Sequence, residues 1–516
     1  MSPAPISPSL ASDPLPPNSP WRRFPLVYEI NTWVWLAELS QVHGKRITLA
    51  DVPDTVIDSW RDLGFDAIWL MGIWERSPRG REIARTLIDL QAEYGRALPG
   101  YTAQDVVGSP YAVYRYEVAA AFGGREGLAV LRGRLAARGL RLMLDYVPNH
   151  VAVDHPWTLE QPLMFINGTA DDLATRPNNY FAAGTSGVIL ANGRDPYFPP
   201  WLDTAQIDAF SPAAREQAIT TLIDIASQCD AVRCDMAMLL LNRIFAQTWH
   251  VSPPAAEFWD VVTPAVEAVY PHFQFVAEAY WETEAELHDH GFAVVYDKRF
   301  YDRLRDSDAA DVRDHLLADF DYQRRLLRFI ENHDEPRAVV AFGSERSRAA
   351  AVLATLLPGM RLLQEGQLDG WRIKLPVQLG RRINETPDSN LRAFYEILLH
   401  EAAQAPYHDG VYMALATNPI LGHDNGHESL IAFIWTLGTD WRIVVVNDYF
   451  QPVKARIYIP NPAWSGPQQW QITDVLTGGV IPIVGNDLLS AGLPVSLKAY
   501  GALIITVIAP DQGPNA

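Results

Sequence analysis

The chain contains very little cysteine: Cys229 and Cys234 are the only two in 516 residues. A disulfide scaffold and a cysteine-rich zinc site both need more cysteines, so neither class of protein is expected. The two residues flank one short segment, and we interpret each thiol as a small apolar side chain rather than a redox group.

Positive charge is also in deficit. Lysine and arginine number 42 against 61 aspartates and glutamates, which gives a formal net charge of −19. A nucleic-acid-binding protein usually carries a basic face, and anionic membranes attract basic segments. Neither nucleic acid nor a membrane surface is therefore expected as a partner.

Long hydrophobic runs are lacking, since no stretch approaches the ~18 apolar residues of a membrane span. The N-terminal segment, MSPAPISPSLASDPLPPNSP, lacks the basic start and apolar centre of a secretory signal. Proline-rich polar sequence buries too little surface to order itself, so residues 1–24 are predicted to form a disordered arm. Together with the cysteine content, this favours a cytoplasmic location. The sequence indicates no particular oligomeric state.

Between residues 25 and 404, short apolar runs alternate with helical segments of amphipathic spacing. Eight such runs predict an α/β fold, a (β/α)8 TIM barrel, rather than an open doubly wound sheet. No G-x-G-x-x-G turn follows an early run, which disfavours a dinucleotide-binding fold. The eight runs are YEINTWVWL (28–36), AIWLMGIW (67–74), LRLMLDYV (140–147), AVRCDMA (231–237), FQFVAEAYW (273–281), AVVYD (293–297), LRFIEN (327–332) and MRLLQEG (360–366).

Two regions depart from this alternation. Residues 151–201 follow the third run, are rich in Asn, Gly, Pro and aromatic residues, and show no clear period. So long an excursion is typical of a lid or an inserted domain, and it follows the strand end where barrel active sites lie. Residues 405–516 contain short β-type runs separated by turn residues, which predict a separate all-β sandwich domain.

Four acidic residues occur in or just after the third, fourth, fifth and seventh runs: Asp145, Asp235, Glu278 and Asp334. One acid at a strand end is usually a cap or an ion-pair partner. Four acids at one barrel mouth repel one another, so each raises the pKa of the others. Such an unfavourable arrangement of like charges is typical of a catalytic site. Paired carboxyls suit glycoside cleavage, whereas a carboxylate cluster can also hold Mg²⁺ or Ca²⁺ for phosphoryl chemistry. The 16 tryptophans and 20 tyrosines favour a sugar, although aromatic residues also build cores.

The segments around these acids resemble the four conserved segments of the α-amylase family of glycoside hydrolases. They are DYVPNH (145–150), VRCDMAM (232–238), VAEAYW (276–281) and ENHD (331–334), in the family's order. The resemblance covers residues 28–404, and the insert and the β region are similar to the family's domains B and C. It implies a retaining α-glycoside hydrolase that acts on α-glucosides or malto-oligosaccharides by a two-carboxylate double displacement.

The resemblance also implies roles for individual residues. Asp235 would be the nucleophile, Glu278 the general acid and base, and Asp334 the group that binds sugar hydroxyls and stabilises the transition state. Arg233, on the same strand face as Asp235, would keep the nucleophile ionised. The substrate-binding set that it implies consists of Asp145, which pairs structurally with Asn149, and of His150, Arg233, His333 and Trp281.

Departures from the family pattern generate further expectations. Met238 and Leu239 stand where starch-cleaving members often have Lys and His, which predicts an apolar acceptor side. With Trp281 and Trp371 as candidate stacking walls and the insert over the mouth, we expect a preference for short α-glucosides. Gln206 stands where an Asp usually ligates calcium, so a structural calcium ion is less expected and no cofactor is predicted.

Three alternatives to hydrolysis stay open from the sequence. Glycosyl transfer would use the same intermediate with a sugar hydroxyl in place of water. A catalytically weak carbohydrate-binding protein would retain the fold, although such a site would be expected to have lost part of the triad. A metal-assisted phosphohydrolase would use the same carboxylates and would be sensitive to EDTA.

Overall fold

In the computed structural model, which describes residues 19–420, 426–459, 469–484 and 492–508, eight parallel strands close into a barrel. Each strand pairs with the next one along the chain, and the last pairs with the first. The predicted fold class is confirmed. The barrel strands are β1 (Leu26–Asn31), β2 (Ala67–Met71), β3 (Arg141–Tyr146), β4 (Ala231–Cys234), β5 (Gln274–Ala277), β6 (Val294–Tyr296), β7 (Leu326–Arg328) and β8 (Met360–Gln364).

Helices occupy most of the connections between the barrel strands. No helix in the described part of the chain has the length and apolar character needed to traverse a bilayer. The α-helices are Thr32–His43, Asp54–Asp62, Pro78–Thr86, Ile88–Ala97, Gly124–Ala136, Trp157–Glu160, Ala170–Thr175, Pro212–Gln228, Asn242–Trp249, Phe258–Glu267, Glu284–Asp289, Lys298–Asp306, Ala309–Leu316, Phe320–Gln323, Ala338–Ala341, Ser344–Leu356, Ser389–Ala402 and Pro406–Asp409.

The first apolar run, residues 28–36, is only partly a strand. β1 ends at Asn31, whose side-chain oxygen accepts a hydrogen bond from the Val34 backbone N–H at 3.4 Å. Asn31 is therefore an N-cap, and the rest of the run belongs to the helix Thr32–His43. The strand prediction was wrong for this half because the capping asparagine lies inside an otherwise apolar stretch.

The region after β3 forms a small antiparallel sheet with a core of its own. Its strands, in spatial order, are His150–Ala152, Trp201–Gln206, Ile189–Gly193 and Tyr180–Ala182. Val151, Phe165 and Leu190 pack together beneath this sheet. The final strand begins at Trp201, so the sheet continues past the end of the predicted insert, residues 151–201. Two further strands, Trp74–Arg76 and Val113–Val118, pair with each other after β2.

The C-terminal region contains two antiparallel sheets. Ile443 and Val445 of the larger sheet pack against Ala455 and Ile457 of the smaller one, as in a sandwich. The larger sheet consists of Val411–Ala414, Leu430–Leu437, Asp440–Asn447, Ala502–Ile508, Gln469–Asp474 and Val480–Val484; the smaller one consists of Ala416–Pro419, Val453–Tyr458 and Leu493–Leu497.

The predicted N-terminal arm, residues 1–24, lies mostly outside the described residues. Its last part, residues 19–24, is packed rather than disordered, because Trp21 and Phe24 are both buried. The Phe24 ring contacts Trp435 of the C-terminal sheet edge-on, with centroids 5.7 Å apart. Two large aromatic side chains thus give this stretch enough apolar area to order it.

Candidate active site

The three predicted catalytic residues lie together at the C-terminal mouth of the barrel. Asp235 follows β4 directly, Glu278 follows β5 directly, and Asp334 lies in the loop after β7. All three line one cavity of about 320 Å³. The convergence follows from the fold, since parallel barrel strands deliver the residues after their C-terminal ends to one face.

The buried guanidinium of Arg233 joins two of these acids. Its Nη1 lies 2.5 Å from Asp235 Oδ1, and its Nη2 lies 2.8 Å from Glu278 Oε2. Arg233 and Asp235 are two residues apart, so both side chains point to the inside of the barrel. One cation therefore holds both carboxyl groups close to each other, and it has no exposure to solvent.

Glu278 is held by three donors and is buried. Its Oε2 also accepts a hydrogen bond from the Met236 backbone N–H at 2.6 Å, and its Oε1 accepts one from the Tyr280 hydroxyl at 2.9 Å. Met236 has a left-handed φ of 44°, an uncommon conformation for a residue with a Cβ and one that clusters at functional sites. Burial raises the pKa of Glu278 to about 7, with Asp235 adding to the rise and Arg233 opposing it. Such a carboxyl can both donate and accept a proton near neutral pH.

Asp334 has the opposite electrostatic environment. Its Oδ2 lies 3.0 Å from Nε2 of His333, and its side chain is 44% exposed to the open cavity. Burial by itself would raise the pKa of Asp334, but the His333 charge outweighs this and holds that pKa well below its usual range. The carboxylate is consequently ionised and accessible to a ligand.

His333 contacts two further polar side chains that sequence reasoning did not anticipate. Its Nδ1 contacts a carboxylate oxygen of Glu29 from β1, and its Nε2 lies 2.6 Å from the Tyr111 hydroxyl. Glu29 left one signal in the sequence, a lone acid inside an apolar run. Tyr111 lies in an irregular loop without periodicity, and therefore gave no signal.

Asp145 lies behind the cavity rather than in it. Its Oδ1 accepts a hydrogen bond from Trp69 Nε1 at 3.1 Å, and its Oδ2 accepts one from the Gly72 backbone N–H at 2.8 Å. Burial raises its pKa to about 6, with Arg233 opposing the rise. The carboxyl thus braces β2 against β3, and among the predicted substrate-binding residues it is one that does not line the central cavity.

The inserted sheet supplies one wall of the cavity. His150 lines it, with its ring 5.0 Å from that of Trp201, and burial lowers the His150 pKa to about 4. Asp203 and Thr204 line the same wall. Asp203 forms no ion pair with any described residue, and burial raises its pKa to about 6. One wall of the cavity thus comes from the inserted sheet, which adds a carboxyl that the motifs did not indicate.

The cavity continues on both sides of the three acids. On one side, a space of about 480 Å³ shares Met236 and Tyr280 with the central cavity and is lined by Trp281. On the other side, a space of about 530 Å³ shares Asp334 and is also lined by His333. The site is an elongated cleft, not a closed pocket.

Two expectations about the cleft walls were wrong. Met238 and Leu239 are 0% and 2% exposed, because the short 3-10 turn Ala237–Leu240 directs them into the core. Trp371 lines none of the three spaces described above, and it packs against Arg382, 3.9 Å from the ring centroid, and against Gly366, where a Cβ would overlap the ring. The predicted apolar acceptor wall is therefore absent from the described cleft.

The place expected for a calcium ligand is filled by an amide. Gln206 Nε2 lies 2.9 Å from Asn149 Oδ1, 3.0 Å from Asn149 O and 3.0 Å from Ile207 O. A calcium ion would need oxygens of this kind as ligands. Here the three oxygens instead accept hydrogen bonds from the Gln206 side-chain nitrogen. No cluster of three or more His, Cys, Asp or Glu side chains suited to a metal occurs among the described residues. These residues do not fit a structural calcium ion.

Comparison with known proteins finds similarity to alpha-amylases, both in sequence and in fold. The family model described as the alpha amylase catalytic domain matches residues 55–180. The alpha-amylase MalA of Haloarcula japonica is 23% identical over 453 residues, which cover 84% of this chain and 56% of that protein. The chain thus spans less than two thirds of the length of this curated relative.

Two solved structures are similar over nearly their whole lengths. The noncanonic maltogenic alpha-amylase AmyB from Thermotoga neapolitana has a TM-score of 0.64 at 16% identity, covering 95% of this chain and 99% of that one. An alpha-amylase from Lactobacillus plantarum has a TM-score of 0.64 at 18% identity, with coverage of 94% and 99%. At such identities the likeness concerns the fold.

The raised pKa of Glu278 predicts a stability difference that grows with pH. Because the folded state binds this proton more tightly, its stabilising contribution is full below the ordinary pKa of 4.5 and is lost as pH rises through about 7. Glu278→Gln cannot ionise. The difference between its free energy of unfolding and that of the wild type should therefore shift in favour of the variant by roughly 1–3 kcal/mol between pH 4 and pH 8.

Urea unfolding at both pH values measures this difference. Glu396→Gln, at an exposed position on the helix Ser389–Ala402, serves as the control and should show no such pH dependence. A stability difference between Glu278→Gln and the wild type that is the same at pH 4 and pH 8 would contradict the raised pKa.

Proposed function

Because the chain belongs to the α-amylase family of glycoside hydrolases, we propose that it is a retaining α-glycoside hydrolase acting on malto-oligosaccharides and related α-glucosides. The observation that carries the proposal is the single guanidinium of Arg233 bound to both Asp235 and Glu278. Retaining enzymes need two carboxyl groups about 5–5.5 Å apart, whereas inverting enzymes leave room for a water between them. One guanidinium that contacts both carboxyls favours the shorter separation.

The reaction proceeds in two displacements. Asp235 attacks the anomeric carbon while Glu278 protonates the departing glycosidic oxygen, which forms a covalent glycosyl-enzyme and releases the aglycone. Glu278, now a carboxylate, then takes a proton from water as the water attacks the same carbon. The bond to Asp235 breaks, and the sugar leaves with its original configuration. A Glu278 pKa of about 7 suits both steps.

Asp334 and His333 bind the sugar at the point of cleavage. The exposed, ionised carboxylate of Asp334 accepts hydrogen bonds from sugar hydroxyls, and charge-assisted hydrogen bonds of this kind are stronger than neutral ones. Hydrogen bonds that become stronger as the sugar ring distorts towards the transition state lower the activation free energy, and do not only tighten substrate binding.

Glucosyl transfer is the second candidate function. The space beside Trp281 adjoins Met236 and Tyr280, next to the acid and base, and provides room for an acceptor sugar. Transfer differs from hydrolysis only in whether a sugar hydroxyl or water reaches the intermediate. Incubation of maltotriose at high concentration distinguishes the two, because transfer yields products longer than the substrate.

Removal of either reacting carboxyl should abolish most activity. We expect Asp235→Ala and Glu278→Gln each to lower kcat/KM on maltoheptaose by at least roughly 10³-fold, with circular dichroism unchanged. On an aryl α-maltoside with an acidic phenol as leaving group, Glu278→Gln should retain its glycosylation step, since that group needs no protonation, whereas Asp235→Ala should remain inactive.

The matched control is again Glu396→Gln, which should behave as the wild type. NMR of the first product should show the α-anomer before mutarotation. A β-anomer as the first product, or equal losses for both variants on the aryl substrate, would contradict the assigned roles.

The elongated cleft predicts that chain length matters. We expect kcat/KM to rise from maltose to maltoheptaose, because sugars in the flanking spaces add binding energy realised in the transition state. Trp281→Ala should reduce kcat/KM on maltoheptaose more than on maltose. A rate that is constant from maltose upward would instead support the short-substrate preference inferred from the sequence.

The fit of Gln206 leads us to propose that no structural calcium ion is needed. EDTA should leave the melting temperature of the wild type unchanged. Glu at this position would place a charged oxygen against three oxygens, so Gln206→Glu should lower the melting temperature, and Ca²⁺ should restore part of the loss. A wild-type melting temperature that falls in EDTA would contradict this.

A further inference from the structure

Glu29 is a buried charge that the proposed reaction does not use. It lies on β1, on the opposite side of the barrel from β4 and β5, and is 1% exposed. One carboxylate oxygen contacts His333 Nδ1. The other oxygen, Oε2, is buried without a hydrogen-bond partner among the described residues. Burying a carboxylate is costly unless a charge compensates it, so this contact has to be more than a neutral hydrogen bond.

His333 has an acceptor at each ring nitrogen. Nδ1 faces Glu29, while Nε2 lies 2.6 Å from the Tyr111 hydroxyl and 3.0 Å from Asp334 Oδ2. The Tyr111 hydroxyl can donate as well as accept, but the carboxylates of Glu29 and Asp334 can only accept. A neutral imidazole carries one N–H and would present a lone pair to one of these two carboxylates. Two protons satisfy both sides. Burial alone would lower the pKa of His333, but the charges of Asp334 and Glu29 raise it well above the usual histidine range.

A further cation, Lys374, lies beside Asp334, and its Nζ contacts the Asp334 backbone oxygen rather than the imidazole. Tyr111, from the loop after β2, and Asp145, from β3, lie on the His333 side. Tyr296 of β6 and Glu331 of the loop after β7 lie near Glu29. Arg233 forms its ion pairs with Asp235 and Glu278 rather than with Glu29. The imidazole is thus the group placed to balance Glu29.

We propose that Glu29 is a positioning residue that keeps His333 doubly protonated, with its Nε2–H directed into the cleft beside Asp334. The inference rests on the proposed function for its catalytic consequence, because it concerns the histidine that would bind the sugar at the cleavage point. Without the Glu29 charge, His333 loses one proton. The remaining proton can then lie on Nδ1, which leaves no N–H on Nε2 in the cleft. Asp334 then loses the largest of the positive charges that lower its pKa, while those of Arg233 and Lys374 remain.

Glu29→Gln tests the charge separately from the packing. The amide has the same shape, and its oxygen can still accept a hydrogen bond from Nδ1, but it carries no charge. Nitrogen NMR of histidine-labelled protein at about pH 8, well above the ordinary histidine pKa, reports how many ring nitrogens are protonated. The His333 signals are those that disappear in His333→Gln. We expect two protons on the ring in the wild type and one in Glu29→Gln.

The matched control removes a buried carboxylate elsewhere. Glu401 is 5% exposed, accepts a hydrogen bond from Tyr407 and pairs with Arg442 near the C-terminal sheet. Glu401→Gln should leave the His333 signals unchanged. A His333 ring that stays doubly protonated in Glu29→Gln, or that is singly protonated in the wild type, would overturn the proposal.

Kinetics provide a second test that a purely structural role would not satisfy. Glu29→Gln should lower kcat/KM on maltoheptaose by about 10-fold in the wild-type background and by less than about twofold in His333→Gln, because residues that act through one another are not additive. Equal losses in both backgrounds would contradict action through His333. If the wild type cleaves no α-glucoside, the proposed function fails, whereas the NMR result still decides whether Glu29 controls the His333 proton.

Discussion

The contact on which the site depends is the buried guanidinium of Arg233 with its two carboxylates. A buried cation without partners costs several kcal/mol, and Asp235 and Glu278 supply the compensating charges at 2.5 and 2.8 Å. The rings of Tyr111 and Tyr296 lie 5.2 and 5.8 Å from the same group and exclude water from it. Since every partner of Arg233 belongs to the cleft or its wall, loss of this cation would disturb the positions of both proposed reacting groups.

The barrel makes that contact geometrically available. Arg233 points inward from β4, and the two acids directly follow the ends of β4 and β5, which are neighbouring parallel strands. The backbone departs from ordinary conformations at the same place, with φ values of 44° at Met236 and 60° at Trp281. The first of these turns directs the Met236 N–H onto Glu278. Local strain of this kind persists where the surrounding packing determines the backbone, as it does at a barrel mouth.

Two separate cations divide the acids of the cleft into two electrostatic classes. Glu278 shares Arg233 with a second carboxylate, is fully buried, and has a raised pKa. Asp334 pairs with His333, is open to the cleft, and has a lowered pKa. Carboxyls whose pKa values are driven apart can take different roles in one reaction, one exchanging a proton and the other remaining charged. Glu29 contributes to this difference from behind the cleft, because its carboxylate contacts the ring nitrogen of His333 that faces away from Asp334.

The barrel, the order of its strands and the convergence of Asp235 and Glu278 could all be predicted from the sequence. Apolar runs mark the strands, and residues adjacent in the chain to a strand end must lie near that end. The sequence could not predict which of the neighbouring side chains also reach the cleft. Met238 belongs to the same motif as Asp235, yet one 3-10 turn buries it in the core. Folding alone brings Glu29 against His333, which lies 304 residues away. The environment of a charge is set by groups distant in the chain, and a local pattern does not contain them.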